Sequence, residues 1–267
     1  MKYMARLPRL NIPNIPQHII QRGNNRLACF FSDQDYAVYL DKLKDYANKY
    51  AVSIHAFVLM TNHVHLLMTP STEKGVSQLM QSLGRCYVMY VNKTYQRTGT
   101  LWEGRYKSTL VDSEYYFLTV SRYIELNPVR ANMVKHPAEY PWSSYHRNAL
   151  DKEIQVITPH QCYEELGSSD TERKAVYQSL FEQHIPDLTL DEIRNATNKA
   201  WVLGENRFKQ QIEKQTGRRA KPLPQGGDRK SLLFKSLKLS KLNQALCPRR
   251  SANKKVTQTR KNHALVI

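Results

Sequence analysis

Residues 54–69, IHAFVLMTNHVHLLMT, constrain the fold more than any other stretch, because two apolar runs flank a pair of histidines one residue apart. Side chains of a strand alternate faces, so His63 and His65 project from one face and Val64 and Leu66 from the other. Leu59, Met60, Leu66, Leu67 and Met68 give the segment the apolar character of a central sheet, and Thr61-Asn62 predicts the turn between two strands, 52–60 and 63–69. Two neutral imidazoles on a stiff support suit a divalent metal of intermediate softness, and they leave room for a third protein ligand and a substrate oxygen. H-x-H by itself is a short pattern, equally at home on a half-exposed strand face, so the surrounding elements have to decide.

Those elements alternate. QHIIQR (17–22) reads as a first strand closed by the turn Gly23-Asn24-Asn25. Ser32 or Asp33 caps a helix to about Tyr50, whose Tyr36, Tyr39, Leu40, Leu43, Tyr46, Ala47 and Tyr50 recur at helical spacing. A second amphipathic helix runs from about Lys74 to Tyr95 and carries Arg85, Lys93 and Arg97 as cations that either face a phosphate backbone or simply face water. TGTLWEGRYKSTLVD (98–112) brackets Trp102 with glycines and leads through Arg105, Lys107 and Ser108 into a strand ending near Val111. Cations and a hydroxyl beside an aromatic are how single strands are commonly gripped, and a loop with one buried Trp is the competing reading. Asp112 or Ser113 caps a third helix, EYYFLTVSRYIEL, striped by Phe117, Val120 and Ile124. On it Tyr123 and Asn127 are four apart and share a face, while Pro128 puts Asn127 at a helix end or kink. PVRANMV restarts a short helix, and YPWSSYH (140–146) is expected to cover the sheet edge.

The order strand, helix, strand, strand, helix, strand, helix predicts an α+β fold: an antiparallel sheet with helices on one face, the histidine pair on a central strand and the third helix close by. This domain spans 10–147, followed by a linker at 148–170 where periodicity fades. Residues 171–220 hold three helical patterns, and the break at Leu203-Gly204-Glu205 has the length of a helix-turn-helix. Charge is uneven: residues 201–267 carry 17 basic and 3 acidic residues, so +14 of the net +17 lies in the last quarter. The stretch 221–267 is therefore read as a flexible basic tail, and the balance points to a polyanionic partner. No run approaches the ~18 apolar residues of a membrane span. The N-terminal residues lack an apolar signal region, and Cys29, Cys86, Cys162 and Cys247 show no paired spacing, so a cytoplasmic, nucleoid-associated protein is expected.

At His63 and His65 a divalent ion would want a third ligand, for which the Asn127 amide oxygen is a reasonable hard donor. Tyr123, one turn earlier, would then lie near the metal-bound group. Against a polarised phosphodiester, a tyrosine hydroxyl can attack phosphorus and keep the bond energy as a phosphotyrosine. Tyr115 and Tyr116 are rival nucleophiles, but Thr119 and Val120, four residues on, are poor or useless ligands.

NHVHLL resembles the HUH motif, and SRYIELNPVRANMV the tyrosine helix, of single-tyrosine HUH transposases. GTLWEGRYKS (99–108) is similar to a segment of their chromosomal branch, the REP-associated tyrosine transposases. The resemblance covers roughly residues 10–147. It implies a ferredoxin-like fold, Mg²⁺ or Mn²⁺ on His63, His65 and Asn127, and Tyr123 as nucleophile. It also implies a single-stranded DNA substrate with imperfect palindromes, a 5′-phosphotyrosine intermediate and a free 3′-OH. Insertion-sequence relatives usually have Gln where Asn127 stands. Two other readings stay open: a DNA-binding regulator that keeps the fold without transposing, and a metal-dependent phosphodiester hydrolase in which Tyr123 is structural. Whether a monomer or a homodimer completes the site is likewise open.

Overall fold

The computed structural model describes residues 9–222. Four strands, β1 (Gln17–Arg22), β2 (Val52–Met60), β3 (His63–Pro70) and β4 (Lys107–Leu110), form one antiparallel sheet in the order β2-β3-β1-β4. With α1 (Asp33–Lys49) between β1 and β2 and α2 (Gly75–Thr94) between β3 and β4, this is the ferredoxin-like arrangement. The helix starts follow capping chemistry: Ser32 and Asp35 make a reciprocal capping box at α1, and the Asp112 carboxylate accepts from Glu114 N–H at α3 (Ser113–Glu125).

The sheet has two buried faces. Val64, Leu66 and Met68 of β3 and Ile19 of β1 pack with Leu43 of α1 and Leu79 and Leu83 of α2. One irregularity lets β2 serve the same layer. Its pairing with β3 slips between Ile54 and Ala56, so Ile54 before the bulge and Phe57 and Leu59 after it all face α1 and α2, which strict alternation would forbid. The bulged His55 is anchored by Thr158 O at 2.7 Å and Thr69 Oγ1 at 2.9 Å.

The opposite face is not bare, and here the expectation of helices on one face is extended. Phe117, Val120 and Ile124 of α3 pack against Ala56, Val58 and Leu67, each such burial contributing about 1.5–3 kcal/mol. Leu190, Ile193 and Ala196 of α8 (Asp187–Lys199) complete that layer. Residues 142–144 pair with β2 along its free edge, where Trp142 stacks on Tyr36 at 4.7 Å, as the sequence predicts.

The C-terminal helices depart from the expected separate domain after a 148–170 linker. Described residues through Pro222 fall in one compact unit. α7 (Asp170–Ser179) is tied to α3 by Tyr177, whose hydroxyl donates to the Glu125 carboxylate at 2.8 Å. Between α8 and α9 (Asn206–Thr216), Leu203 bonds in parallel to β4 instead of forming a helix-turn-helix corner. Gly204 permits this, because a Cβ there would sit 2.6 Å from the Phe208 ring and 2.7 Å from Asp112 Cβ. Apart from Lys221 and Pro222, the expected basic tail lies outside the described residues.

Candidate active site

Antiparallel pairing of β1 with β3 sets Ile20 opposite His65 and Arg22 opposite His63, so the histidine pair sits in mid-sheet on the face covered by α3 and α8. The two rings lie 5.1 Å apart between centroids. α3 ends at Glu125, and the one-turn α4 (Asn127–Arg130) starts at the residue before Pro128. This places Asn127 at the predicted break and leaves it in the same cleft as Tyr123. The Tyr123 ring, 6% exposed, meets His65 edge-on at 5.9 Å. The cleft has a volume of about 600 Å³, and Arg22, Arg105, Lys107 and Arg194 line it with Glu103 as the one acid among its described lining residues.

Hydrogen-bond partners fix the imidazole protons. Thr197 Oγ1 donates to Ile193 O at 2.9 Å, so it must accept from His18 Nδ1–H at 3.0 Å. His18 Nε2 is thereby left as an acceptor, and at 2.9 Å it takes the Nδ1–H of His65. The chain ends with a lone pair on His65 Nε2. His63 donates from Nδ1 to Asn62 Oδ1 at 2.6 Å, which leaves its Nε2 as a lone pair as well. Burial keeps the rings uncharged. It pushes His18 down to about 3, helped by Arg130, and His63 down to about 4, helped by Arg22. His65 is driven well below the ordinary value by burial first and by its neighbours His18 and His63 second. Neutral imidazoles with open Nε2 atoms and a partner on each Nδ1 are the form in which histidine takes a divalent metal. Asn127 spends its amide nitrogen on Tyr123 O at 3.4 Å, so its oxygen is the atom an ion would take. The donor set therefore fits a divalent metal chemically. Among described residues no cluster of three His, Cys, Asp or Glu side chains could do so without the amide.

Sequence reasoning does not single out two residues of this site, although one of them, Arg130, lies within SRYIELNPVRANMV. His18 is a lone histidine in QHIIQR, and nothing in sequence spacing connects it to His65 forty-seven positions away. Arg130 stacks its guanidinium 4.2 Å over the Tyr123 ring and donates to Tyr123 O at 2.6 Å. Its position seven residues after Tyr123, two helical turns, is the signal that could have exposed it.

The expected DNA contacts separate into two groups. Arg105 and Lys107 line the cleft, and Lys107 also reaches Asn198 at 2.6 Å. Trp102 and Ser108 do not. The Trp102 ring, 6% exposed, packs against Tyr39 and Tyr87, because Gly23 pairs with Trp102 and pins the loop inward. Ser108 points to the α2 side of the sheet and donates to Gln17 Oε1 at 2.9 Å. Arg85 is exposed on α2 and does not line the cleft. Of the rival tyrosines, Tyr115 is 53% exposed and Tyr116 donates to Glu192 at 2.8 Å, and neither lines the cleft.

No helix among the described residues is long and apolar enough to cross a membrane. A search of curated proteins returned no match. Among solved structures the chain is similar to a REP-associated tyrosine transposase bound to a REP hairpin, at 17% identity and TM-score 0.48, covering 59% of this chain and 99% of that one. It is also similar to a putative transposase from Deinococcus radiodurans, at 22% identity and TM-score 0.32, covering 45% and 96%. Residues 11–127 match the family model described as "Transposase IS200 like", a stretch that takes in both histidines and Tyr123 and ends on Asn127. Residues 11–127, a little under half of the chain, are therefore similar to the IS200-like transposases.

Proposed function

We propose that the chain is a single-tyrosine transposase of the REP-associated kind. It binds single-stranded chromosomal DNA folded into an imperfect palindromic hairpin, then cleaves and rejoins the strand through a 5′-phosphotyrosine. The observation that supports this reading is the meeting of Tyr123, His63, His65 and Asn127 in one cation-lined cleft. His63, His65 and Asn127 would hold Mg²⁺ or Mn²⁺, which when bound supplies Lewis-acid polarisation of the scissile phosphate.

The chain's own groups do the rest. Arg22, Arg105 and Arg194 draw the phosphodiester backbone into the cleft. Arg130 clamps the nucleophile's ring and backbone, and its charge favours the negative charge that develops on the phenolic oxygen. Burial lowers Arg130 only to about 10, so it remains a cation at neutral pH. Tyr123 Oη attacks phosphorus, the P–O3′ bond breaks, and the phenolic proton ends on the departing 3′ oxygen. One phosphodiester is exchanged for another, and a 3′-OH attacking the phosphotyrosine restores a continuous strand.

The test is incubation with end-labelled hairpin DNA from repeats flanking the gene, with Mg²⁺ or Mn²⁺, followed by denaturing electrophoresis. Wild type is expected to give a protein-DNA adduct and Tyr123→Phe none. Cutting without an adduct in both proteins would establish the hydrolase reading instead. An adduct that persists in Tyr123→Phe would move the nucleophile elsewhere.

A further inference from the structure

Arg105 lines the catalytic cleft and also two smaller clefts near the start of β4, an edge strand of the sheet. One, of about 270 Å³, adds Lys199, Arg218 and Arg219 and has no acid among its described lining residues. The other, of about 370 Å³, lies on the α2 side and is walled by Gln21, Ser77, Gln78 and Gln81. Arg9 and Tyr106 belong to both, with the Arg9 guanidinium 3.6 Å over the Tyr106 ring. A strand leaving the catalytic cleft thus meets cations first and side-chain amides next.

The amide-lined cleft contains polar groups left unmatched among the described residues. Gln21 is 7% exposed, and its Oε1 has no hydrogen-bond partner among the described residues. The Tyr106 hydroxyl is buried and equally unpartnered. Buried polar atoms are nearly always paired, so an orphaned acceptor lining a cleft is suited to a donor from a ligand. Three glutamines around one cleft narrow the ligand class, because a primary amide is the side chain that pairs bidentately with adenine, accepting from N6 and donating to N7.

We infer that the cleft walled by Gln21, Gln78 and Gln81 reads an adenine of the substrate strand, whose phosphates run along Arg105 and the adjoining basic cleft. The inference rests on the reading that this chain acts on single-stranded DNA, and it adds a base-specific site outside the catalytic cleft.

Fluorescein-labelled dA12, dC12 and dT12, titrated with full-length protein at fixed salt and followed by anisotropy, test it. Wild type is expected to bind dA12 about tenfold more tightly than dT12, the discrimination one bidentate pair gives. Gln21→Leu should remove the preference and leave dT12 affinity unchanged. Because Gln21 is buried in β1, Gln81→Ala on the exposed side of α2 serves as the second variant and should narrow the preference. Arg105→Ala should weaken all three oligonucleotides equally and lower the salt slope by about 1. Equal wild-type affinity for dA12 and dT12 overturns the inference, as does a preference that both glutamine variants retain. Binding is read without cleavage, so an adenine preference in a protein that forms no adduct would refute only the nucleophile assignment. An adduct without the preference would refute only the base pocket.

Discussion

Replacing His18 by leucine should change the protonation of a residue it merely touches. In the wild type the proton order runs from Thr197 through His18 and places the His65 proton on Nδ1, away from the cleft. Leucine offers no acceptor, so a buried Nδ1–H would stand unpartnered at a cost of about 1–3 kcal/mol. His65 avoids that cost by moving its proton to Nε2, the atom a metal would need. Loss of a partner of this kind typically weakens metal binding 10–100-fold, which is about 1.4–2.7 kcal/mol, the same size as the cost avoided. Two measurements check this: ¹⁵N NMR of the imidazoles in metal-free protein, and Mn²⁺ titration by electron paramagnetic resonance. Wild type should show His65 protonated at Nδ1, His18→Leu should show it at Nε2 with weaker Mn²⁺ binding, and His18→Gln, which keeps an acceptor, should resemble wild type. A His18→Leu protein with His65 still protonated at Nδ1 and unchanged Mn²⁺ affinity would refute the reasoning.

Two further predictions concern stability. Burial raises the Glu125 carboxyl to about 7, against the hydrogen bonds from Ser144, Tyr177 and Asn148 that favour its charge. A raised folded-state value means stability present at low pH and lost as pH rises from about 4.5 through 7, about 3 kcal/mol in total. Urea unfolding at pH 5 and pH 8 should therefore show a flatter pH response in Glu125→Gln than in wild type, and identical slopes would contradict it. The depressed histidines act in the opposite sense below pH 6.5, which is why the two proteins are compared at each pH. Gly204→Ala should destabilise by about 1–3 kcal/mol, read as a lower urea midpoint, because its Cβ would overlap Phe208 and Asp112.

Local chemistry made the frame of this fold legible. Alternation located β1 to β3, helical spacing located α1 to α3, and Pro128 placed the break at Asn127, so the family resemblance fell on elements that exist. What the sequence hid was set by pairing at long range. His18 meets His65 only because β1 pairs with β3 in one particular register. Cations and a hydroxyl beside Trp102 allowed either a stacking platform or a loop with a buried ring, and the bridge to Gly23 settles it by turning the ring into the core. Helical periodicity in 188–199 showed that α8 has an apolar face but not that the sheet is what it covers. A helix-turn-helix and a packing layer share the same local pattern.

Thr197, the far end of the proton chain, lies seventy residues beyond the last residue of the matched transposase segment. The histidine pair is therefore not a self-sufficient cassette: the tautomer of His65 is set from the C-terminal extension. Insertions or losses between residue 127 and α8 would be felt first at the proton of His65. A transposase core transplanted without that helix would keep every residue of its motifs and still lose the instruction for where one proton belongs.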